Sequence, residues 1–266
     1  MKKETKTNPI SGIIMDMDGV IWRDTEMLVD LPDILSQMKE QGWRVMFMTN
    51  NSTKSHREYI DKLARMRVFL QSWQVINSAF ATAKTLKNRY PKGGPLYIIG
   101  EKGLHTTLAE ESFYHDENNP LAVVAGLDRD CTYDKIKTAT LLINRGVPFI
   151  GTNPDTSFPS REGFTPGAGA ILAAITAATR CEPEIIGKPS TIMFDRALEV
   201  LETAPNNTLM IGDRLETDIL GGQNAGCQTA LVLSGVTTAK EGARWSPVPT
   251  YIADDLTALM HTLTEQ

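Results

Sequence analysis

Short apolar runs alternate along this chain with longer stretches whose apolar positions recur every three or four residues. "GIIM" (12–15) precedes a helical pattern near Asp33 to Gln41, and "WRVMFMTN" (43–50) precedes another near Ser55 to Met66. The series resumes near the C-terminus: "EIIG", a helix from about Ser190 to Glu202, "TLMIGD", a helix from about Glu216 to Asn224, and "QTALVLSG". Buried strands alternating with helices are the pattern of a parallel sheet covered on both faces. The expected fold is therefore α/β, a Rossmann-like three-layer core.

Between the two series lies a stretch with its own alternation. It contains "PLYIIG", "LAVVAGLD", a helix from Tyr133 to Arg145, "VPFIGTN" and an Ala-rich helix from about Ala168 to Arg180. This predicts a core over 1–78 and 183–266 with a smaller α/β domain inserted over 79–182. "PKGGP" at 91–95 falls inside the insert and reads as a turn.

Composition narrows the class. The 266 residues carry 27 basic and 32 acidic side chains for a net charge of −5, with no clustered Lys/Arg stripe, so no nucleic-acid partner is expected. No apolar run approaches the roughly 18 residues of a membrane span, and no leader's apolar core follows the two N-terminal lysines. Three cysteines, Cys131, Cys181 and Cys227, are odd in number and far apart, which suits a reducing, cytoplasmic setting better than a disulfide framework.

The chemistry begins where the first apolar run ends, at Asp16-Met17-Asp18-Gly19. In extended chain, residues two apart share a face, so both carboxylates point one way while Met17 turns into the core. Two such charges about 4 Å apart repel by roughly 4 kcal/mol at an effective dielectric near 20, so a cation or a retained proton must offset them. Asp-Gly is also ordinary turn chemistry.

Three further groups stand at the ends of apolar runs. Thr49, Asn50, Asn51, Ser52 and Thr53 supply hydroxyl and amide donors suited to phosphate, or simply cap a helix. Lys188 precedes Pro189 at a helix mouth, where a lysine is held or merely solvated. Asp213 follows Gly212, with Glu216 and Asp218 beyond, and is either a site carboxylate or a cap.

In this order the residues resemble the four motifs of the haloacid dehalogenase superfamily of phosphotransferases. They are Asp16-Met17-Asp18-Gly19-Val20, Thr49-Asn50, Lys188-Pro189, and Gly212-Asp213 with Thr217-Asp218. The insert between the second and third motifs, with "TNNST", "GTNPDTSF", "GKPS" and "GDRLETDI", is similar to the branch of nitrophenylphosphatase and NagD-like enzymes that carry a type II α/β cap.

The resemblance implies a phosphatase of small-molecule phosphate monoesters, a monomer or homodimer, with Asp16 as nucleophile and Asp18 as general acid and base. It implies Mg²⁺ held by the Asp16 carboxylate, the Asp18 main-chain carbonyl and the Asp213 carboxylate, with Asp218 orienting waters or Lys188. Thr49, Asn50, Asn51 and Lys188 would hold the phosphoryl oxygens, and Asn153 and Asp155 would contact the leaving group. The ion would also let the acidic pair tolerate burial.

Two other readings share the fold: a receiver domain, which has about half this length and no insert, and a phosphate-binding protein without ester turnover. "GAGAIL" at 167–172 lacks the third glycine of a dinucleotide fingerprint, and neither a phosphate-binding P-loop nor a Gly-x-Ser-x-Gly elbow occurs.

Overall fold

The strand Gly12–Met15 is buried along its whole length, with Ile13, Ile14 and Met15 fully inaccessible. Each such side chain gains about 1.5–3 kcal/mol from burial, enough to fix this short run at the centre of a sheet. It is parallel to Arg44–Thr49 on one side and to Thr208–Gly212 on the other. Beyond the latter lie Gln228–Val232 and then Tyr251–Ala253, again parallel.

The computed structural model describes residues 9–23, 26–160 and 162–265. Residues 1–8, part of the N-terminal stretch read above for a leader, lie outside them. The chain folds as two compact units, one from residues up to Met48 together with Phe194 onward, the other from Thr49 to Met193. The second unit takes in the 79–182 segment with further residues on either side.

In the first unit, helix Leu31–Glu40 starts where the Asp30 side chain accepts from the Asp33 N–H, has Pro32 in its first turn, and buries Leu31, Ile34 and Met38. Helix Leu256–Thr264 starts likewise on Asp255 and buries Leu256, Leu259, Met260 and Leu263. The strand order reverses at Gly12–Met15, since the chain leaves it for Arg44–Thr49 and returns on the opposite side at Thr208–Gly212. Open α/β sheets bind ligands at the carboxyl ends of strands at such a reversal.

The second unit has its own parallel sheet, in the order Glu184–Ile185, Phe149–Gly151, Val123–Ala125, Gly94–Ile99, Phe113–His115. Its core includes Tyr97, Ile99, Val123, Leu142, Phe149 and Ile175. Helices Tyr133–Asn144 and Ala168–Thr179 fall where periodicity predicts them. Only the first part of "PKGGP" is a turn, because the strand already begins at Gly94. Ser157–Ser160 and Gly163–Pro166 pair antiparallel as a small hairpin. Among the described residues, no helix is long and apolar enough to cross a membrane.

Candidate active site

Asp16 and Asp213 leave neighbouring parallel strands at the same end. Met15 lies opposite Ile211, so Asp16 follows one strand directly and Asp213 leaves the other one residue further on. The Asp16 N–H donates to the Ile211 carbonyl at 2.8 Å, extending the ladder into the site. Asp218 arrives from the other direction. The chain turns through a five-residue π-helical turn, Leu215–Ile219, before helix Leu220–Asn224, and Asp218 Oδ2 accepts from the Arg214 N–H at 3.1 Å. Such single wide turns favour functional sites.

The result is a cluster in which one carboxylate oxygen each of Asp16, Asp213 and Asp218 lies within 4.8 Å of the others. Their residues are 7%, 2% and 1% exposed. Each ionised pair at that spacing repels by about 3.5 kcal/mol at an effective dielectric near 20. An all-oxygen, charge-dense donor set of this kind suits a hard divalent cation and offers no nitrogen or sulfur for a softer one. The residues therefore fit a divalent ion. Asp218, expected beside the ion, contributes its carboxylate to the cluster itself.

Asp213 is held tightly. Its Oδ2 accepts from the Val236 N–H at 2.8 Å, and its carbonyl accepts from the Thr237 N–H at 3.2 Å. Two glycines make the room: a Cβ on Gly19, whose φ is +84°, would sit 2.5 Å from Asp213 Oδ2, and one on Gly235 would sit closer still.

Asp18 departs from expectation. Met17 is fully buried as the alternation requires, but Asp18 is exposed, so the two carboxylates do not share a buried environment. The strand ends at Met15, and the following residues curl into a turn in which the Ile21 N–H donates to the Met17 carbonyl at 2.9 Å. Asp18 is fixed instead by the indole of Trp22, whose Nε1 donates to Oδ1 at 2.8 Å.

Thr49, Asn50, Asn51, Lys188, Asn153 and Asp155 belong to the second unit. Asn50 is buried and its side-chain amide is engaged on both ends. Its Oδ1 accepts from the Lys188 N–H at 2.7 Å, and its Nδ2 donates to the Lys188 carbonyl at 2.9 Å and to Asp155 Oδ2 at 2.7 Å. A primary amide has two N–H donors, so both are spent on the protein. Asn153 Nδ2 reaches the same Asp155 oxygen at 2.8 Å. Asn51 Oδ1 accepts from the Thr53 N–H and hydroxyl, and Thr49 Oγ1 accepts from the Asn51 N–H.

Asn50 thus grips the Lys188 main chain and ties it to the Asn153–Asp155 turn. Lys188 is 1% exposed, so it is a held lysine and not a solvated one. The sequence gives no signal for these amide contacts, because a grip across more than 100 residues follows no local spacing.

A family model described as haloacid dehalogenase-like hydrolase matches residues 13–114, and one described as HAD-hydrolase-like matches residues 185–259. An acid sugar phosphatase of Staphylococcus saprophyticus is 36% identical over 251 residues, spanning 94% of this chain and 96% of that protein. Among solved structures, a p-nitrophenyl phosphatase from Archaeoglobus fulgidus superposes with a TM-score of 0.90 at 28% identity, covering 96% of this chain and 100% of the other. NagD from E. coli superposes with a TM-score of 0.84 at 31% identity over 93% and 97% of the two chains.

Proposed function

Because the chain belongs to the haloacid dehalogenase-like hydrolases, as a NagD-like phosphoric monoester hydrolase, we propose that it cleaves small phosphate monoesters of the sugar phosphate or nitrophenyl phosphate type through an aspartyl-phosphate on Asp16. The Asp16 carboxylate attacks phosphorus and the ester oxygen leaves, taking a proton from Asp18. Asp18 then removes a proton from water as that water attacks the acyl phosphate, which returns Asp16 and releases inorganic phosphate. General acid–base help of this kind contributes about 10²- to 10⁴-fold in rate.

The Asp16 carboxylate, the Asp18 main-chain carbonyl and the Asp213 carboxylate, with Asp218 alongside, would hold Mg²⁺, which would supply positive charge where an anionic nucleophile meets an anionic phosphoryl group. The roles of Thr49, Asn51 and Lys188 in holding phosphoryl oxygens rest on the motif resemblance. Asn50 would act by fixing the main chain of Lys188, since its own amide is engaged within the unit.

The observation that carries the reading is the buried carboxylate cluster at the ends of the two central strands. Steady-state phosphate release from p-nitrophenyl phosphate, silenced by EDTA and restored by Mg²⁺, is the expected result, with Asp16→Asn folded and inert. Stoichiometric phosphorylation without turnover would favour a phosphoacceptor protein, and activity surviving in Asp16→Asn would remove the nucleophile.

A further inference from the structure

Trp22 is fully buried and its ring is the largest inaccessible side chain in the structure, yet its one polar atom is aimed at an exposed carboxylate. The turn between them is closed at several points. The Gly19 N–H donates to the Trp22 carbonyl at 2.8 Å, and Trp22 pairs with Met27 in a short antiparallel ribbon. Ser234 Oγ donates to the Gly19 carbonyl at 2.7 Å, while Arg23 Nη2 donates to the Ser234 carbonyl at 2.6 Å. The indole is therefore a fixed donor, and Asp18 Oδ1 is the atom it fixes.

An exposed aspartate otherwise samples several rotamers. An indole N–H only donates, and Oδ1 accepts from it whether the carboxyl is ionised or carries its proton on the other oxygen. The contact occupies Oδ1 and so fixes the orientation of the carboxyl group and of Oδ2 with it. Resting on the reading above in which Asp18 is the general acid and base, we propose that Trp22 is a positioning residue for proton transfer, holding the Asp18 carboxyl so that Oδ2 faces the leaving group. The competing role is purely structural, with Asp18 serving only to satisfy a buried indole N–H.

Leaving groups separate the two roles. A nitrophenolate departs without a proton, whereas an alkoxide needs one in the transition state. The test measures kcat/KM, which reports the phosphoryl-transfer step, for p-nitrophenyl phosphate and glycerol 2-phosphate in wild type, Trp22→Phe and Asp18→Asn. Trp22→Phe should lower kcat/KM about tenfold on the alkyl ester and by less than about twofold on the aryl ester.

Because a smaller ring risks disturbing the fold, a second variant places benzothienylalanine at position 22, which keeps the bicyclic shape and removes only the N–H. Its losses should match those of Trp22→Phe. Equal losses on both esters in this second variant overturn the proposal. If Asp18→Asn discriminates between the esters and the position-22 variants do not, Trp22 is structural and the function reading stands. If Asp18→Asn slows both esters equally, the general-acid assignment falls and this inference with it.

Discussion

Gly19→Ala tests the site through its backbone. Gly19 has φ +84°, a region that costs an L-residue about 1–2 kcal/mol. Its new Cβ would also stand 2.5 Å from Asp213 Oδ2 and 2.7 Å from Cγ. The carboxylate would have to retreat by about 0.9 Å to reach ordinary contact at 3.4 Å, pulling on the 2.8 Å bond from the Val236 N–H. A displacement near 1 Å at a reacting site costs on the order of 10²-fold in rate.

Gly42→Ala is the matched control, since Gly42 has φ +75° but nothing within 4 Å of the built Cβ. Gly42→Ala should lose about 1–2 kcal/mol of stability in urea denaturation, and Gly19→Ala at least as much because its Cβ also meets Asp213. Only Gly19→Ala should lose about 10²-fold in kcat/KM for p-nitrophenyl phosphate, with weaker Mg²⁺ binding by calorimetry. If the two variants turn over within twofold of each other, the close approach to Asp213 has no bearing on catalysis.

Asp218→Asn should weaken Mg²⁺ about 10- to 100-fold in calorimetric titration with the thermal midpoint little changed; unaltered affinity would detach Asp218 from the ion. Asn50→Ala strips three hydrogen bonds from Lys188 and Asp155, so stability in denaturant should fall by about 3 kcal/mol, and a loss under 1 kcal/mol would contradict the grip. Burial holds His56 below its ordinary value of 6.5, where it stacks on Phe80. Its neutral form therefore stabilises the fold fully above pH 6.5, and that contribution fades as pH falls below 6.5 because the unfolded chain takes up the proton first; His56→Phe should flatten the decline, measured as melting temperature against pH.

The parallel sheets were legible because "GIIM" and "TLMIGD" are unbroken apolar runs bounded by polar residues, and the order of the four motifs pointed to one family. Phe113–His115 escaped because three residues with two exposed carry no period. The 157–166 hairpin escaped because Pro159 and Pro166 speak against a ladder position in sequence, although an isolated ribbon tolerates them. Asp218 could not be placed by counting from Asp213, since a π-helical turn shifts residues off the usual 3.6 period. Asp18 is exposed where the acidic pair was expected to be buried together, because alternation assumes the strand continues past Met15 and a turn follows there instead.

Gly12–Met15 holds the middle of its sheet, yet one of its two neighbours, Thr208–Gly212, comes nearly two hundred residues later. During synthesis this run emerges early and can pair only with Arg44–Thr49 until about four fifths of the polypeptide has been made. At typical elongation of about 5–20 residues per second, its second edge stays open for on the order of ten seconds or more. The unit Thr49–Met193 has a parallel sheet and core of its own, so it can settle meanwhile. Slow codons or early truncation before Thr208 would therefore leave an apolar, half-paired strand exposed, and chaperone dependence should track the last third of the message.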